Sequence, residues 1–208
     1  MNIIHLDTVD STNTYLKKRA NDLPDRTVVI ARSQTSGRGT RERGFISPEG
    51  GLYMSVLLKN VKPDLLTVCA GVSVADVISE YGGNPKIKWV NDVLIDGKKV
   101  CGILTEATNG NYIVGIGVNI KHNANLPETA TTLGFEIAPK KILERFFYYF
   151  DNDVMDKYRT YSCVLGQRIT FGEREGIASA ILDNGNLEVK LDNGEIVILN
   201  SGEVSIKF

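Results

Sequence analysis

KWVNDVLIDGKKVCGILTEATNGNYIVGIGVN, residues 88–119, is the stretch from which the fold class is read. Extended segments are predicted at 87–90, 93–95, 100–106 and 112–120, because apolar and β-branched residues run there without helical spacing. Asp96-Gly97 and Asn109-Gly110 fall between them, and both dipeptides favour the left-handed backbone of a two-residue hairpin turn. Tight hairpins join antiparallel strands, whereas a parallel pair needs a long crossover. The expected sheet is therefore mixed and largely antiparallel, and the class is α+β.

Upstream, residues 2–7 read as a short strand, and Asp10 or Ser11 is placed to cap a helix running to about Ala20. Strands follow at 27–31 and 51–58. Pro63 is predicted to open a helix to Tyr81, with Leu66, Cys69, Ala70, Val74, Val77 and Ile78 as its apolar face. Downstream of Pro139, Leu143, Phe146, Phe147, Phe150, Val154 and Tyr158 recur every three or four residues, which predicts one long amphipathic helix with a core-facing aromatic stripe. From Ser162 the texture changes to short strands (RITF, GIASAIL, LEVKL, EIVIL, VSIKF) broken by Asn184-Gly185 and Asn193-Gly194, which reads as a small separate β barrel. Two units are expected, 1–161 and 162–208, with no internal repeat.

Composition narrows the chemistry. The 208 residues carry 24 Lys+Arg against 25 Asp+Glu, a net charge of -1, so no global field would hold nucleic acid or an anionic membrane, and any polyanion site must be local. The N-terminus has neither the charged nor the apolar region of a signal peptide, and no apolar run approaches the roughly 18 residues of a membrane span. A soluble, cytoplasmic protein is expected. Cys69, Cys101 and Cys163 form no CxxC pair, and His5 and His122 are the only imidazoles. A disulfide framework, a cysteine-rich zinc site and histidine-centred hydrolysis are thereby disfavoured.

Four segments carry residue types suited to ligand chemistry. Residues 34–50 form a long loop punctuated by Gly37, Gly39 and Gly44, in which Arg38, Arg41 and Arg43 supply fixed charge for phosphate or carboxylate. It is no Walker A loop, and Glu42 occupies the third glycine position of a dinucleotide fingerprint. In 88–106, Lys88, Asn91 and Asp92 sit at a strand end, where an amide and a carboxylate suit a nucleotide or its Mg²⁺, and the hairpin returns Lys99 toward them. Gly102 within that strand removes a side chain where something must approach the backbone, and Gly115 and Gly117 in GIGVN either clear room for a ligand, with Asn119 able to bond a heterocycle, or mark a bulge. The last is Ser11-Thr12-Asn13, residue types that also cap helices routinely.

These pieces occur in the order that characterises biotin protein ligases. DSTN (10–13), QTSGRG (34–39), SPEGGLYMS (47–55), KWVND (88–92), KKVCGILTE (98–106) and GIGVN (115–119) resemble that family's motifs, and NSGEVSI (200–206) resembles the end of its C-terminal domain. The resemblance implies a catalytic domain similar to class II aminoacyl-tRNA synthetases followed by an SH3-like barrel. It also implies joining of biotin to ATP as biotinyl-5′-AMP, then transfer to a lysine of a biotin carboxyl carrier domain. Carried over by position, Ser11, Thr12, Asn13, Gln34, Gly37, Arg38, Gly39, Thr40, Lys99 and Gly102 would form the biotin side. Arg41, Arg43, Phe45, Lys88, Asn91 and Asn119 would form the nucleotide side. Lys99 and Arg38 would be catalytic, and Asp92 would meet Mg²⁺.

Three departures from the family pattern stand out: Thr40 follows GRG where arginine is frequent, Phe45 replaces tryptophan, and Val90 replaces the proline of KWPND. Some family members repress transcription through an N-terminal winged helix, for which a strand beginning at Asn2 leaves no place. No nucleic acid and no membrane partner are expected, and an exposed sheet edge would suit a homodimer. The rivals are a lipoate ligase or octanoyltransferase of the same fold, and a silent biotin-binding adaptor.

Overall fold

The computed structural model describes residues 1–63 and 65–206. Strand β1 (Asn2–Val9) leads into helix α1 (Thr12–Arg19), which returns the chain to β2 (Thr27–Gln34), parallel to β1. After the basic loop come β3 (Leu52–Lys59), α2 (Leu66–Glu80), β4 (Lys86–Lys88), β5 (Asp92–Ile95), β6 (Lys98–Thr108) and β7 (Asn111–Val118). Helices α3 (Pro139–Phe150) and α4 (Met155–Tyr161) precede β8 (Arg168–Phe171), β9 (Arg174–Ile181), β10 (Leu187–Lys190), β11 (Ile196–Leu199) and β12 (Ser205–Ile206). The first sheet runs β1-β2-β3-β7-β6-β5-β4 and only β1 and β2 pair in parallel, so the α+β class with a largely antiparallel mixed sheet is as the sequence predicts. The second sheet, β11-β10-β9-β8-β12, is wholly antiparallel.

The hairpin turns follow their side chains. Asp96 and Gly97 take φ of 50° and 75°, and Asn109 and Gly110 take 47° and 75°, the paired left-handed conformations that match strand twist.

Two helix expectations are corrected. Helix α2 begins at Leu66, not Pro63; the Pro63 carbonyl accepts the Leu66 N–H in a lead-in turn, and Asp64 lies outside the described residues. Nor is it one-sided: Leu66 and every residue from Val68 to Ile78 are buried, because α2 is sandwiched between the sheet and the α3–α4 pair. Its buried Asp76 is met by Lys157 Nζ at 2.7 Å and by the hydroxyls of Tyr149 and Tyr161. The predicted long helix after Pro139 is two helices, broken at Asp151, Asn152 and Asp153. Such side chains bond local backbone in place of the helix ladder, as when Asp153 Oδ1 accepts the Met155 N–H at 2.9 Å. The aromatic stripe still faces inward on both pieces, with Phe146 and Tyr158 fully buried.

The C-terminal sheet, and α4 and the segment that lead into it, are fastened to β4 and the turn after it. Trp89 Nε1 donates to the Gly185 carbonyl at 2.9 Å, Tyr158 Oη donates to Val90 at 3.1 Å, and the Cys163 N–H donates to Ile87 at 3.0 Å. These bonds set residues 201–203, just before β12, beside the open face of the first sheet. The last two residues of the predicted VSIKF strand lie outside the described residues.

Candidate active site

Ser11 takes extended backbone angles and caps α1, its Oγ accepting the Thr14 N–H. Thr12 and Asn13 are thereby driven, in the first turn, onto the face of β3 and β7, where both are buried. The Thr12 N–H and hydroxyl converge on Gln34 Oε1 at 2.9 and 3.2 Å, Gln34 Nε2 donates to Ser47 Oγ at 2.8 Å, and Ser47 donates to the Phe45 carbonyl at 2.8 Å. Ser55 Oγ, fully buried on β3, lies 2.6 Å from both Thr12 Oγ1 and Asn13 Oδ1. Asn13 Nδ2 donates to Glu106 Oε2 at 2.9 Å. This chain of neutral donors and acceptors floors a cleft of ≈ 440 Å³ lined also by Arg38, Gly39, Thr40 and Lys99.

The three strand glycines line the first cleft and also make room for protein side chains. A Cβ on Gly115 would lie 2.3 Å from Asn13 Oδ1, and one on Gly117 2.6 Å from the Phe45 ring. One on Gly102 would meet Lys99 Cε at 2.9 Å and the Phe45 ring at 3.2 Å. The space they leave receives protein side chains, and those side chains in turn shape the cleft.

Lys99 reaches the cleft through a register shift. Asp92 pairs with Gly102 and Val93 with Cys101, but Leu94 pairs with Lys99, so β6 carries one extra residue, a β-bulge. Residues three apart on a regular strand face opposite sides. The bulge puts Lys99 and Gly102 on the same side, and the consecutive Val100 and Cys101 are both fully buried. Lys99 Nζ then lies 2.7 Å from Asp92 Oδ1 and 5.9 Å from the Phe45 ring centroid. Its backbone N–H and C=O pair with Thr129 and Thr131.

The basic loop folds back on itself: the Gly39 N–H donates to Arg43 at 2.7 Å, and the Phe45 N–H to Gly37 at 2.8 Å. Gly37 has no room for a side chain, since a Cβ would sit 2.3 Å from the Phe45 carbonyl. Phe45 roofs the first cleft and separates it from a second, ≈ 1150 Å³ in volume, on the far side of Lys99. Arg41, Arg43, Lys88, Asn91 and Asp92 line this second cleft, and Ser201, Gly202 and Glu203 close it from the C-terminal sheet.

Each principal cation already has a carboxylate. Arg38 and Lys17 both reach Glu106 Oε1, the lysine at 2.8 Å. Arg43 grips both oxygens of Glu203, at 3.0 and 2.5 Å, and Arg41 lies 3.9 Å from the same group. Desolvation pushes the Glu106 carboxyl up, but bonds from Lys17 and Asn13 and the charge of Arg38 outweigh it and hold the group below its ordinary value. For Glu203, the bond from Arg43 is the leading cause of a lowered value.

Two predicted residues serve the backbone. Asn91 Nδ2 donates to Ile103 at 2.9 Å while lining both clefts. Asn119 is buried outside both linings and donates to Thr131 at 3.3 Å, tying down the segment behind Lys99. Sequence reasoning missed Glu106, Ser55, Lys17 and Glu203. Glu106 was within reach of it, since Gly102, Leu104 and Glu106 alternate along β6 toward the cleft.

No group of three or more His, Cys, Asp or Glu placed to hold a metal exists among the described residues. A dedicated metal centre does not fit. Magnesium arriving on a polyphosphate needs only one or two protein carboxylates, and Asp92 on the second cleft meets that demand.

Residues 6–123 match the biotin/lipoate A/B protein ligase family, and residues 164–207 match the biotin protein ligase C-terminal domain. Over 99% of its length the chain superposes on 98% of a biotin protein ligase from Aquifex aeolicus in complex with biotin and ATP, with a TM-score of 0.84 and 31% identity. It is 35% identical to the bifunctional ligase/repressor BirA of Bacillus subtilis over 76% of this chain and 54% of that one, so it spans about half of that relative's length. It is 28% identical to the biotin--[acetyl-CoA-carboxylase] ligase of Mycobacterium tuberculosis, over 93% of this chain and 85% of that one.

Proposed function

Because the chain belongs to the biotin/lipoate A/B protein ligase family, we propose that it activates biotin with ATP to biotinyl-5′-AMP and passes the biotinyl group to a lysine of a biotin carboxyl carrier domain. One observation carries this reading: two clefts of opposite character meet at Lys99. The first offers uncharged donors and acceptors from Thr12, Asn13 and Gln34, backed by the buried Ser55, and suits a bicyclic urea. The second is wide, ringed by Arg41, Arg43 and Lys88, and suits a triphosphate. A carboxylate in the first and an α-phosphate in the second would both face Lys99.

That placement addresses the main barrier. Carboxylate attack on phosphorus brings like charges together, so the transition state is stabilised chiefly by fixed cations. Lys99, turned from Asp92, would supply one, and Arg38, still paired with Glu106, a second. The freed Asp92 would hold Mg²⁺ borne by the phosphates, and the ion would neutralise charge on the leaving pyrophosphate. Phe45 and the folded loop exclude water, which would otherwise hydrolyse the mixed anhydride. Ser11, Gly37, Gly39, Thr40 and Gly102 shape the biotin side, and Asn91 holds the wall between the clefts.

The reaction requires neither DNA nor a membrane; no helix among the described residues is long and apolar enough to cross one. We place it in the cytoplasm, where the free thiols of Cys69, Cys101 and Cys163 would stay reduced. A homodimer would form through an unpaired sheet edge. Incubating the protein with ATP, Mg²⁺, biotin and a carrier domain should give one biotinyl adduct by mass spectrometry. Modification with lipoate or octanoate but not biotin would move the assignment to the other branch of the family, and ATP-independent biotin binding without any adduct would indicate an adaptor.

A further inference from the structure

We infer that Glu203, on the C-terminal sheet, is a phosphate surrogate: it occupies the seat of a nucleotide phosphate on Arg43 and must be displaced for ATP to bind, which makes it a positioning residue that sets ATP affinity. The assignment deepens the proposed reaction and rests on it for the identity of the anion.

The geometry favours exchange. Arg43 meets Glu203 through two parallel N–H···O contacts at 3.0 and 2.5 Å, the same fork a guanidinium offers to phosphate. Arg41 lies 3.9 Å from the same carboxylate, so Glu203 sits at the focus of both arginines of the second cleft. Lys88 also lowers its pKa. A carboxylate there satisfies the cations when no ligand is bound and repels a triphosphate until it leaves.

Exposure decides which of the paired carboxylates yields. The Glu106 side chain is 12% exposed and bonded by Lys17, Arg38 and Asn13, so breaking its pairs would strand a buried charge. Glu203 is 42% exposed and Arg43 61%, so water solvates each partner on separation and the pair is easily exchanged. Glu203 belongs to a segment whose position is fixed by the β8–β12 pairing and by the Trp89–Gly185 bond, not by the loop it holds. Arginines and surrogate thus come from different sheets and can part without disturbing either core.

The test compares wild type, Glu203→Gln and Glu203→Asp. ATP binding is titrated through the fluorescence of Trp89, the sole tryptophan, which lines the second cleft, and biotin-dependent pyrophosphate exchange is measured alongside. Removing the charge should tighten ATP binding and lower its KM by roughly two- to fivefold, the upper range of an exposed ion pair. The biotin KM should stay within about twofold, and the Asp variant should bind ATP like wild type. Unchanged or weaker ATP binding by Glu203→Gln would overturn the inference, because Glu203 would then be a support that holds Arg43 ready for the nucleotide. The titration stands without turnover: tighter binding in a protein that performs no exchange would uphold the surrogate and overturn the ligase reading.

Discussion

Lys99 is held by one ion pair at a half-exposed site, so its removal separates chemistry from folding. Lys99→Ala should lower biotin-dependent pyrophosphate exchange by about 10²–10³, the usual cost of deleting one transition-state donor. Its thermal midpoint should stay near that of wild type. Near-normal exchange would show that the charge is supplied elsewhere. Gly115→Ala acts on the opposite side of the cleft, since its methyl would overlap Asn13 Oδ1 at 2.3 Å and the buried Ser55 leaves that amide nowhere to retreat. The expected result is a biotin KM at least tenfold higher with the ATP KM nearly unchanged. Reading these positions from sequence had unequal success. Lys99 and Gln34 stand in short motifs that single them out in the sequence. Glu106, Lys17 and Ser55 act through partners 42 to 93 positions away and carry no local pattern.

At the scale of elements, the loop between β2 and β3 and the α2–α3–α4 layer make separate predictions. The loop carries Thr40 where an arginine is frequent in the family, so under the proposed reaction one contact to the adenylate would be missing unless Arg41 or Arg43 supplies it. Biotinyl-5′-AMP should therefore escape into solution measurably faster from wild type than from Thr40→Arg, as followed by chromatography of the filtrate during turnover. Equal release would mean that Arg41 or Arg43 already does the holding. In the helical layer, Asp76 is 6% exposed with Lys157 and two tyrosines bonded to it. Desolvation raises its pKa, but those bonds outweigh it and hold the value below 3.8. A lowered carboxylate pKa adds stability that is complete above the unfolded value and is lost as pH falls through the folded one. Asp76→Asn should hence be destabilised by about 2–4 kcal/mol near neutrality, with the gap to wild type closing below about pH 4 in urea titrations. A pH-independent gap would assign the loss to packing. The break between α3 and α4 was not legible from hydrophobic period alone, because the stripe keeps its spacing across the Asp151–Asp153 interruption. The side chains that end the helix signal through hydrogen bonds, not hydrophobicity.

Across the whole molecule, the second cleft exists only because two sheets are tied together. The Trp89–Gly185 bond spans 96 positions and brings residues 201–203 against the arginine loop. Trp89→Phe keeps most of the apolar packing but deletes that bond. It should lower the ATP KM, because the segment that holds Glu203 on Arg43 loosens, and cost about 1–2 kcal/mol in stability, since the Gly185 carbonyl loses its partner. A purely local loss of stability with an unchanged ATP KM would show that the C-terminal sheet adds nothing to nucleotide binding.

What the sequence determined by itself is whatever nearest neighbours along the chain decide: the Asp-Gly and Asn-Gly turns, hence antiparallel β5–β6 and β6–β7, the Ser11 cap, and the ordered motifs that mark the family. Tertiary structure alone decided that Val100 bulges so that Lys99 faces the cleft, that Gly115 and Gly117 yield space to Asn13 and Phe45, and that every arginine of the loop has a carboxylate waiting. The physical reason is one of range. Turn and cap energies are fixed within about four residues, while burial, strand register and charge pairing depend on which distant segments the closed core forces together.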